Sequence, residues 1–318
     1  MEALLTNKGT YDLRLRGLPE SPGRIKAVAC HRLIGALLRT AERATRLAVT
    51  GEGGGRGKRP AWLEAALDFT MGPPAAGSTG FHFEAPWLSE AAPEQFAVPS
   101  LWGQAFPAEA TALDLVTDAI QESQSSSPSG ERFDASVLAA VVEMTKAPGN
   151  PEVRCELIPH GFANASFALD RAARERIQGL LDAIPSPQTS LVTGRLDAIK
   201  HEGGRFQIVL DQGARLPGRL DSDALDKEVL RPLWGREATV MGTVRFRPNG
   251  RPQFIEARRI TAHDAGDEVF AELPDAEPVQ SRTLFPRPSS SEEYARPRDL
   301  AGAWPGDETV EELLAQLD

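Results

Sequence analysis

The chain has 318 residues, of which 41% are hydrophobic and 25% are charged, and its formal net charge is −10. This length allows two or three domains with buried cores, and no window approaches the roughly 18 consecutive apolar residues of a membrane span. The N-terminus lacks the basic and then apolar order of a secretory signal, and Cys30 and Cys155 cannot make a disulfide framework. We therefore expect a cytoplasmic protein that does not enter membranes.

The charges are grouped along the sequence. Residues 23–59 hold nine basic and two acidic side chains, whereas residues 60–188 hold six basic and seventeen acidic ones. Residues 264–318 hold four basic and fourteen acidic side chains, so this segment carries a charge equal to that of the whole chain. Such asymmetry favours an acidic tail or a polyelectrolyte partner.

The first 184 residues alternate between strand and helix patterns. The predicted elements, in chain order, are a strand over 11–16, a helix from 25 to about 47, a hairpin of strands 67–71 and 81–85, helices over 108–123 and 133–147, strands over 152–158 and 162–169 around a turn at Pro159-His160-Gly161, and a helix capped by Asp170 that ends near 184. This order predicts an α+β domain with an antiparallel sheet.

A short linker, residues 185–189, precedes a different pattern at 190–262. Five short strands occur there, with a helix-compatible stretch at 222–235 between the third and the fourth and an Asn-Gly hairpin signal at 249–250. Through LVTGRLDAI, RFQIVLDQG and ATVMGTVRFRPNGRPQFIEARRI, this segment resembles an OB-fold barrel. An SH3-like barrel is the structural alternative.

An acidic linker rich in Pro and Ser, residues 263–303, leads to a short amphipathic helix predicted within 304–318. Thr309 and Glu312 form a capping box, and apolar residues follow at the spacing of one helix face. A helix this short is marginal in water by itself, so we expect it to need a second surface.

This layout resembles the C-terminal tails of antitoxins in bacterial toxin–antitoxin pairs, in which a flexible arm with a Trp-containing amphipathic segment docks on a toxin, often a PIN-type ribonuclease. The resemblance covers residues 293–318 and implies a tail that neutralises a toxin nuclease. The partner-binding residues that it implies are Trp304, Asp307, Glu308, Val310, Glu311, Glu312, Leu313, Leu314 and Leu317.

No catalytic or metal-ligating constellation stands out, so we predict a non-enzymatic protein without catalytic residues, metal or cofactor. His82 and Glu84 share one strand face and would suit a base with an orienting carboxylate, yet a half-exposed strand explains them more simply. Cys155 and His160 are conceivable as a nucleophile and its base, and a packed cysteine is the simpler interpretation.

The alternative function is nucleic-acid binding through arginines, because such a surface neutralises phosphates. Four arginines share a helix face and six point out of the barrel; they are Arg32, Arg39, Arg43 and Arg46, and Arg195, Arg205, Arg215, Arg219, Arg245 and Arg247. Phe206 and Phe246 are predicted to point inward, so the stacking platform of single-strand binders is missing. A third interpretation is that acidic segments of the same chain, 60–188 or 264–318, cover these arginines.

The sequence therefore predicts a binding protein of five parts. An α+β domain (1–184), a linker (185–189) and an OB-like barrel (190–262) form the scaffold, and an acidic linker (263–303) carries the partner-binding helix (304–318).

Overall fold

The computed structural model describes most of the chain as far as Ala276. The described residues are 8–21, 23–55, 58–72, 79–96, 106–160, 166–200, 204–221, 228 and 230–276. Within them the chain forms an antiparallel sheet with helices and then a closed barrel, which confirms the expected mixed α+β architecture. No helix in these ranges combines the length and the apolar character needed to cross a bilayer.

The sheet of the α+β domain has five antiparallel strands. They are β1 (Lys8–Arg16), β2 (Thr70–Met71), β3 (Gly80–Pro86), β4 (Arg154–His160) and β5 (Phe167–Leu169). Their spatial order is β2-β3-β1-β4-β5, so β1 is the central strand. On β1, Tyr11, Leu13 and Leu15 are buried against the helices, whereas Asp12 and Arg14 lie on the opposite, partly exposed face. The period-two alternation of the sequence thus gives this sheet one apolar and one polar face.

The helices of this domain cover the apolar face of the sheet. They are α1 (Ala27–Thr50), α2 (Ala61–Ala66), α3 (Leu88–Ala91), α4 (Pro93–Phe96), α5 (Ala112–Gln124), α6 (Ala135–Lys146) and α7 (Arg171–Ala183). Gly51 ends α1 in the left-handed conformation, with φ at 76°, which glycine adopts without steric cost. Asp170 caps α7 by accepting a hydrogen bond from the Ala173 amide, as predicted.

Two local expectations for this domain are wrong. Residues 67–71 do not form a full strand, because α2 occupies Ala61–Ala66, Leu67 is buried at its C-terminal end, and only Thr70–Met71 join the sheet. The predicted turn at Pro159-His160 is also absent, since β4 continues through His160, which pairs with Thr10. The nine-residue β1 offers main-chain partners along that whole length, and the ladder extends accordingly.

The barrel consists of five further strands. They are β6 (Gln188–Lys200), β7 (Arg205–Val209), β8 (Arg215–Leu220), β9 (Glu237–Phe246) and β10 (Pro252–Ala262). The closed order is β10-β8-β7-β6-β9, with β9 also paired to β10. Phe206 and Phe246 lie inside the barrel, as the alternation predicts. This five-stranded closed barrel is compatible with the expected OB-like barrel.

The connection from β8 to β9 is described only in part. Most of the helix predicted over 222–235 lies outside the described residues, and the described part contains a single 3₁₀ turn at Arg231–Leu233. Leu230 and Leu233 from this connection are buried in the barrel core. The connection therefore contributes to the barrel core.

Candidate functional site

The partner-binding residues expected at the C-terminus, from Trp304 to Leu317, lie outside the described residues, as does the acidic linker from residue 277 onward. Their role stays a prediction. The first part of the acidic segment, residues 263–276, packs along the barrel. Asp267 accepts a hydrogen bond of 2.5 Å from the Thr239 hydroxyl, and Ala276 packs against the barrel core. The described chain thus ends on the barrel surface.

The four arginines of α1 divide into two pairs. Arg32 and Arg39 are exposed. Arg43 donates a hydrogen bond of 2.6 Å to the Ser136 carbonyl, and Arg46 lies 3.2 Å from the carboxylate of Glu42. Only the N-terminal half of the predicted basic face is therefore open to solvent.

Four of the six barrel arginines contact the α+β domain. The contacts are Arg205 to the Val49 carbonyl at 2.8 Å, Arg219 to Glu52 at 2.9 Å, Arg245 to Glu52 at 3.7 Å and Arg247 to Glu131 at 3.8 Å. Of the other two, Arg195 pairs with Asp197 at 3.0 Å and Arg215 is exposed. The assignment of these six arginines to nucleic acid stays a prediction. Of the two acidic segments expected to cover them, 60–188 supplies Glu131 to Arg247, whereas Glu52 lies outside both segments.

Glu52 is the centre of this contact between the domain and the barrel. It directly follows Gly51, and its side chain is 16% exposed. Burial raises the pKa of Glu52, while the charges of Arg219 and Arg245 oppose that rise. Both guanidinium groups also lie over the ring of Phe254, with their Cζ atoms 5.9 and 5.7 Å from its centroid. Glu256 on β10 pairs with the same two arginines, at 2.5 Å from Arg219 and 4.0 Å from Arg245. The cluster therefore holds two cations against two carboxylates and one aromatic ring.

Two side-chain amides extend the same contact. Gln253 donates to the Gly51 carbonyl at 3.1 Å, and Asn249, in the turn between β9 and β10, donates to the Ser129 carbonyl at 3.2 Å. Strands β7 and β8 and the turn between β9 and β10 thus face the α+β domain through Arg205, Arg219 and Asn249.

A cleft of about 390 Å³ lies beside this contact, between α6 and the barrel. Its polar lining includes Glu52, Asp134, Ser136, Arg245 and Gln253. Asp134 is occupied as the cap of α6, accepting from the amides of Val137 and Gly53. Asp134, Arg245 and Gln253 are thus engaged in contacts within the protein.

The polar face of the sheet brings together three residues that the sequence analysis did not group. His82 Nδ1 lies 3.1 Å from Asp12 Oδ1, and His160 Nε2 lies 3.0 Å from Asp12 Oδ2. The Arg14 guanidinium donates to the same Asp12 Oδ2 at 3.0 Å. The two imidazole rings are 5.9 Å apart between centroids. One carboxylate therefore orients two imidazoles.

The electrostatics of this cluster follow from these hydrogen bonds. Burial raises the pKa of Asp12, but hydrogen bonds from His82, Arg14 and His160 outweigh that effect and lower the pKa to about 2. Asp12 is therefore ionised at neutral pH. His82 and Glu84 do share a strand face, yet Glu84 pairs with Lys8 at 3.8 Å, and Asp12 is the partner of His82. The strand alternation of the sequence could have indicated this cluster, because Asp12, His82 and His160 each point to the polar face of their strand.

Cys155 and His160 lie on opposite faces of β4, five positions apart. Cys155 is buried in the core, and burial raises the pKa of its thiol to about 12, with the charge of Glu156 adding to the rise. The packed-cysteine interpretation therefore describes Cys155, because a buried neutral thiol is a poor nucleophile.

This burial predicts how the thiols react. At pH 8 a thiol with the pKa of Cys155, about 12, is ionised in only about one molecule in ten thousand. We expect the native chain to take up one equivalent of a thiol reagent, at the half-buried Cys30, and the unfolded chain to take up two. The Cys30→Ser variant should take up none when native, and labelling followed by mass spectrometry measures this. Modification of native Cys155 as fast as that of Cys30 would contradict the burial.

Comparisons of this chain with protein-family models, with curated proteins and with solved structures found no match. The candidate sites therefore rest on sequence and geometry.

Proposed function

We propose that this chain is a non-enzymatic binding protein whose acidic C-terminal tail docks on a basic surface of a partner protein, in the manner of an antitoxin. The observation that carries the proposal is the separation of charge. Of 35 basic and 45 acidic side chains, residues 264–318 hold four and fourteen, so the remainder of the chain is neutral. A neutral scaffold with a tail of charge −10 is suited to a basic partner.

The contact between the domain and the barrel supports this choice over the nucleic-acid alternative. Arg219 and Arg245 are engaged by Glu52, and Arg247 is paired with Glu131. A phosphate backbone would have to displace these carboxylates before it could use the same arginines. Arg32 and Arg39 are exposed, and two helix arginines supply only a small part of a nucleic-acid interface.

The proposed docking follows the helix-in-groove mode of recognition. Trp304 and the apolar face of Val310, Leu313, Leu314 and Leu317 fill an apolar groove of the partner. The acidic residues Asp307, Glu308, Glu311 and Glu312 face basic side chains of the partner. If the partner is a toxin nuclease, those basic side chains are the ones that would otherwise hold RNA, and docking neutralises the enzyme.

Removal of the tail is expected to abolish partner binding. The full chain and a chain ending at residue 300 are each co-expressed with the product of the neighbouring gene, and the amount of co-purified partner is measured. The truncated chain should lose at least about 100-fold in affinity, because the energy of such interfaces is concentrated in a few apolar anchors. Within the full chain, Leu313→Asp should have a similar effect, and Ala315→Gln, on the side of the predicted helix away from Leu313 and Leu317, should have none.

Two results would count against this function. If the truncated chain retains full binding, the tail is not the docking element. If the full chain instead binds oligonucleotides at low salt, with an affinity that falls linearly in log salt and weakens in the Arg32→Ala, Arg39→Ala double variant, the nucleic-acid alternative holds. The thermal unfolding of the truncated chain serves as the control for an intact scaffold.

A further inference from the structure

The polar face of the sheet carries a cluster with the composition of a metal site. Asp12, His82 and His160 each offer one ligand atom, and the three atoms lie within 4.8 Å of one another. Two imidazole nitrogens with one carboxylate oxygen are a common ligand set for Zn²⁺ and similar divalent ions. We infer that these three side chains form a binding site for one divalent transition-metal ion of the Zn²⁺ class.

The distances within the cluster suit such an ion. In tetrahedral coordination with bonds of about 2.0–2.1 Å, neighbouring ligand atoms are about 3.3 Å apart. The Asp12 oxygens already lie 3.1 Å from His82 Nδ1 and 3.0 Å from His160 Nε2. The ion takes the place of the protons that these pairs now share, and rotation of the two half-exposed imidazoles brings their nitrogens into the same shell.

The backbone holds the three ligands in register. Asp12 on β1 lies directly opposite His82 on β3, and its partner on β4 is Ile158, two residues before His160 on the same face. Thr10 Oγ1 donates to the His160 carbonyl at 3.2 Å and so helps to fix the end of β4. Ligands that stand on three paired strands are positioned more accurately than ligands on loops.

Two features around the three ligands favour metal binding: Arg14 donates a hydrogen bond to Asp12, and the two histidines are open to solvent. The Arg14 guanidinium bonds to Asp12 Oδ2 at 3.0 Å, which is the kind of second hydrogen bond that orients a ligating carboxylate. The side chains of His82 and His160 are 38% and 47% exposed, so an ion reaches them from solvent. Three protein ligands leave a fourth position for water or an anionic group, as in open zinc sites.

Calorimetric titration of the full chain with Zn²⁺, after treatment with a chelator, tests the site. We expect one ion per chain, and a loss of at least about tenfold in affinity in each of the variants Asp12→Asn, His82→Gln and His160→Gln. The His31→Gln variant is the matched control, because His31 is an exposed histidine on α1 outside the cluster. Bound Co²⁺ provides a second readout, since its visible absorption depends on the coordinating atoms and should change in the three variants but not in the control.

The result that overturns the site is the absence of Zn²⁺ uptake by the folded full chain, or equal affinity in wild type and all three variants. In either case the cluster is only a carboxylate shared by two imidazoles and Arg14. Circular dichroism and thermal unfolding without metal identify any of the three variants that fails to fold. The Zn²⁺ affinities of the variants that do fold then decide whether the site exists. None of the three ligands belongs to the tail, so the chain ending at residue 300 should bind Zn²⁺ like the full chain whatever becomes of the proposed docking.

Discussion

The Gly218→Ala variant is expected to lose about 3 kcal/mol of unfolding free energy, at the upper end of overpacking effects. A Cβ atom at position 218, on β8, would overlap with Cζ of the Phe206 ring on β7. The Phe206 side chain is completely buried, and the closed barrel gives its ring no open side into which to retreat. Either the ring leaves its rotamer or the two strands separate, and both changes disturb the barrel core.

Urea unfolding followed by circular dichroism measures this loss. The matched control is Gly179→Ala on α7, where a Cβ meets no atom within 4 Å and should stabilise the helix by about 0.5–1 kcal/mol. Combining Gly218→Ala with Phe206→Leu should cost less than the sum of the two single changes, because the smaller side chain relieves the overlap. Wild-type stability of Gly218→Ala would mean that the ring does not lie over this glycine.

The Glu52→Lys variant is expected to weaken the contact between the α+β domain and the barrel by about 2 kcal/mol. The change replaces one of the two carboxylates that pair with Arg219 and Arg245 by a third cation, and leaves Glu256 as their remaining partner. Breaking a buried ion pair costs about 3–5 kcal/mol and an exposed pair is worth about 0–1 kcal/mol. Glu52 is 16% exposed and its arginines 38% and 41%, so the expected loss lies between these limits.

Calorimetry and limited proteolysis measure the effect on this contact. In the wild type we expect the domain and the barrel to unfold in one transition, and in Glu52→Lys we expect two transitions and faster cleavage at the connection 185–187. The control is Glu143→Lys on α6, which makes the same charge change at a carboxylate that is 58% exposed and pairs only with Lys146 among the described contacts. A single unchanged transition in Glu52→Lys would show that other contacts hold the two parts together.

The local features that could be predicted from the sequence are those set by neighbouring residues. The alternation around Phe206 and Phe246 places both inside the barrel, because successive strand side chains point to opposite faces. Asp170 caps its helix because a short polar side chain satisfies a free backbone amide of the first turn. Asn249 and Gly250 form the turn before β10, with Gly250 at φ 78°.

The errors have a common cause in long-range packing. Leu67 follows an alternating pattern with Phe69 and Met71, but the helix before it and the core beneath it keep it out of the sheet. The ladder with β1 keeps His160 in a strand, although its neighbours Pro159 and Gly161 are typical of a turn. In both cases contacts with residues distant in the sequence override a weak local preference.

Taken alone, the sequence determined the mixed α+β class, the closed barrel and the concentration of acidic charge after residue 263. Periodicity and composition carry that information, because they depend on neighbours along the chain. Only the tertiary structure decided that Asp12, His82 and His160 meet and that Glu52 takes up the barrel arginines. Both contacts depend on strand order, on register and on the docking of the barrel against the α+β domain. They join residues 70 to nearly 200 positions apart, and contacts at such separations produce no periodic pattern in the sequence.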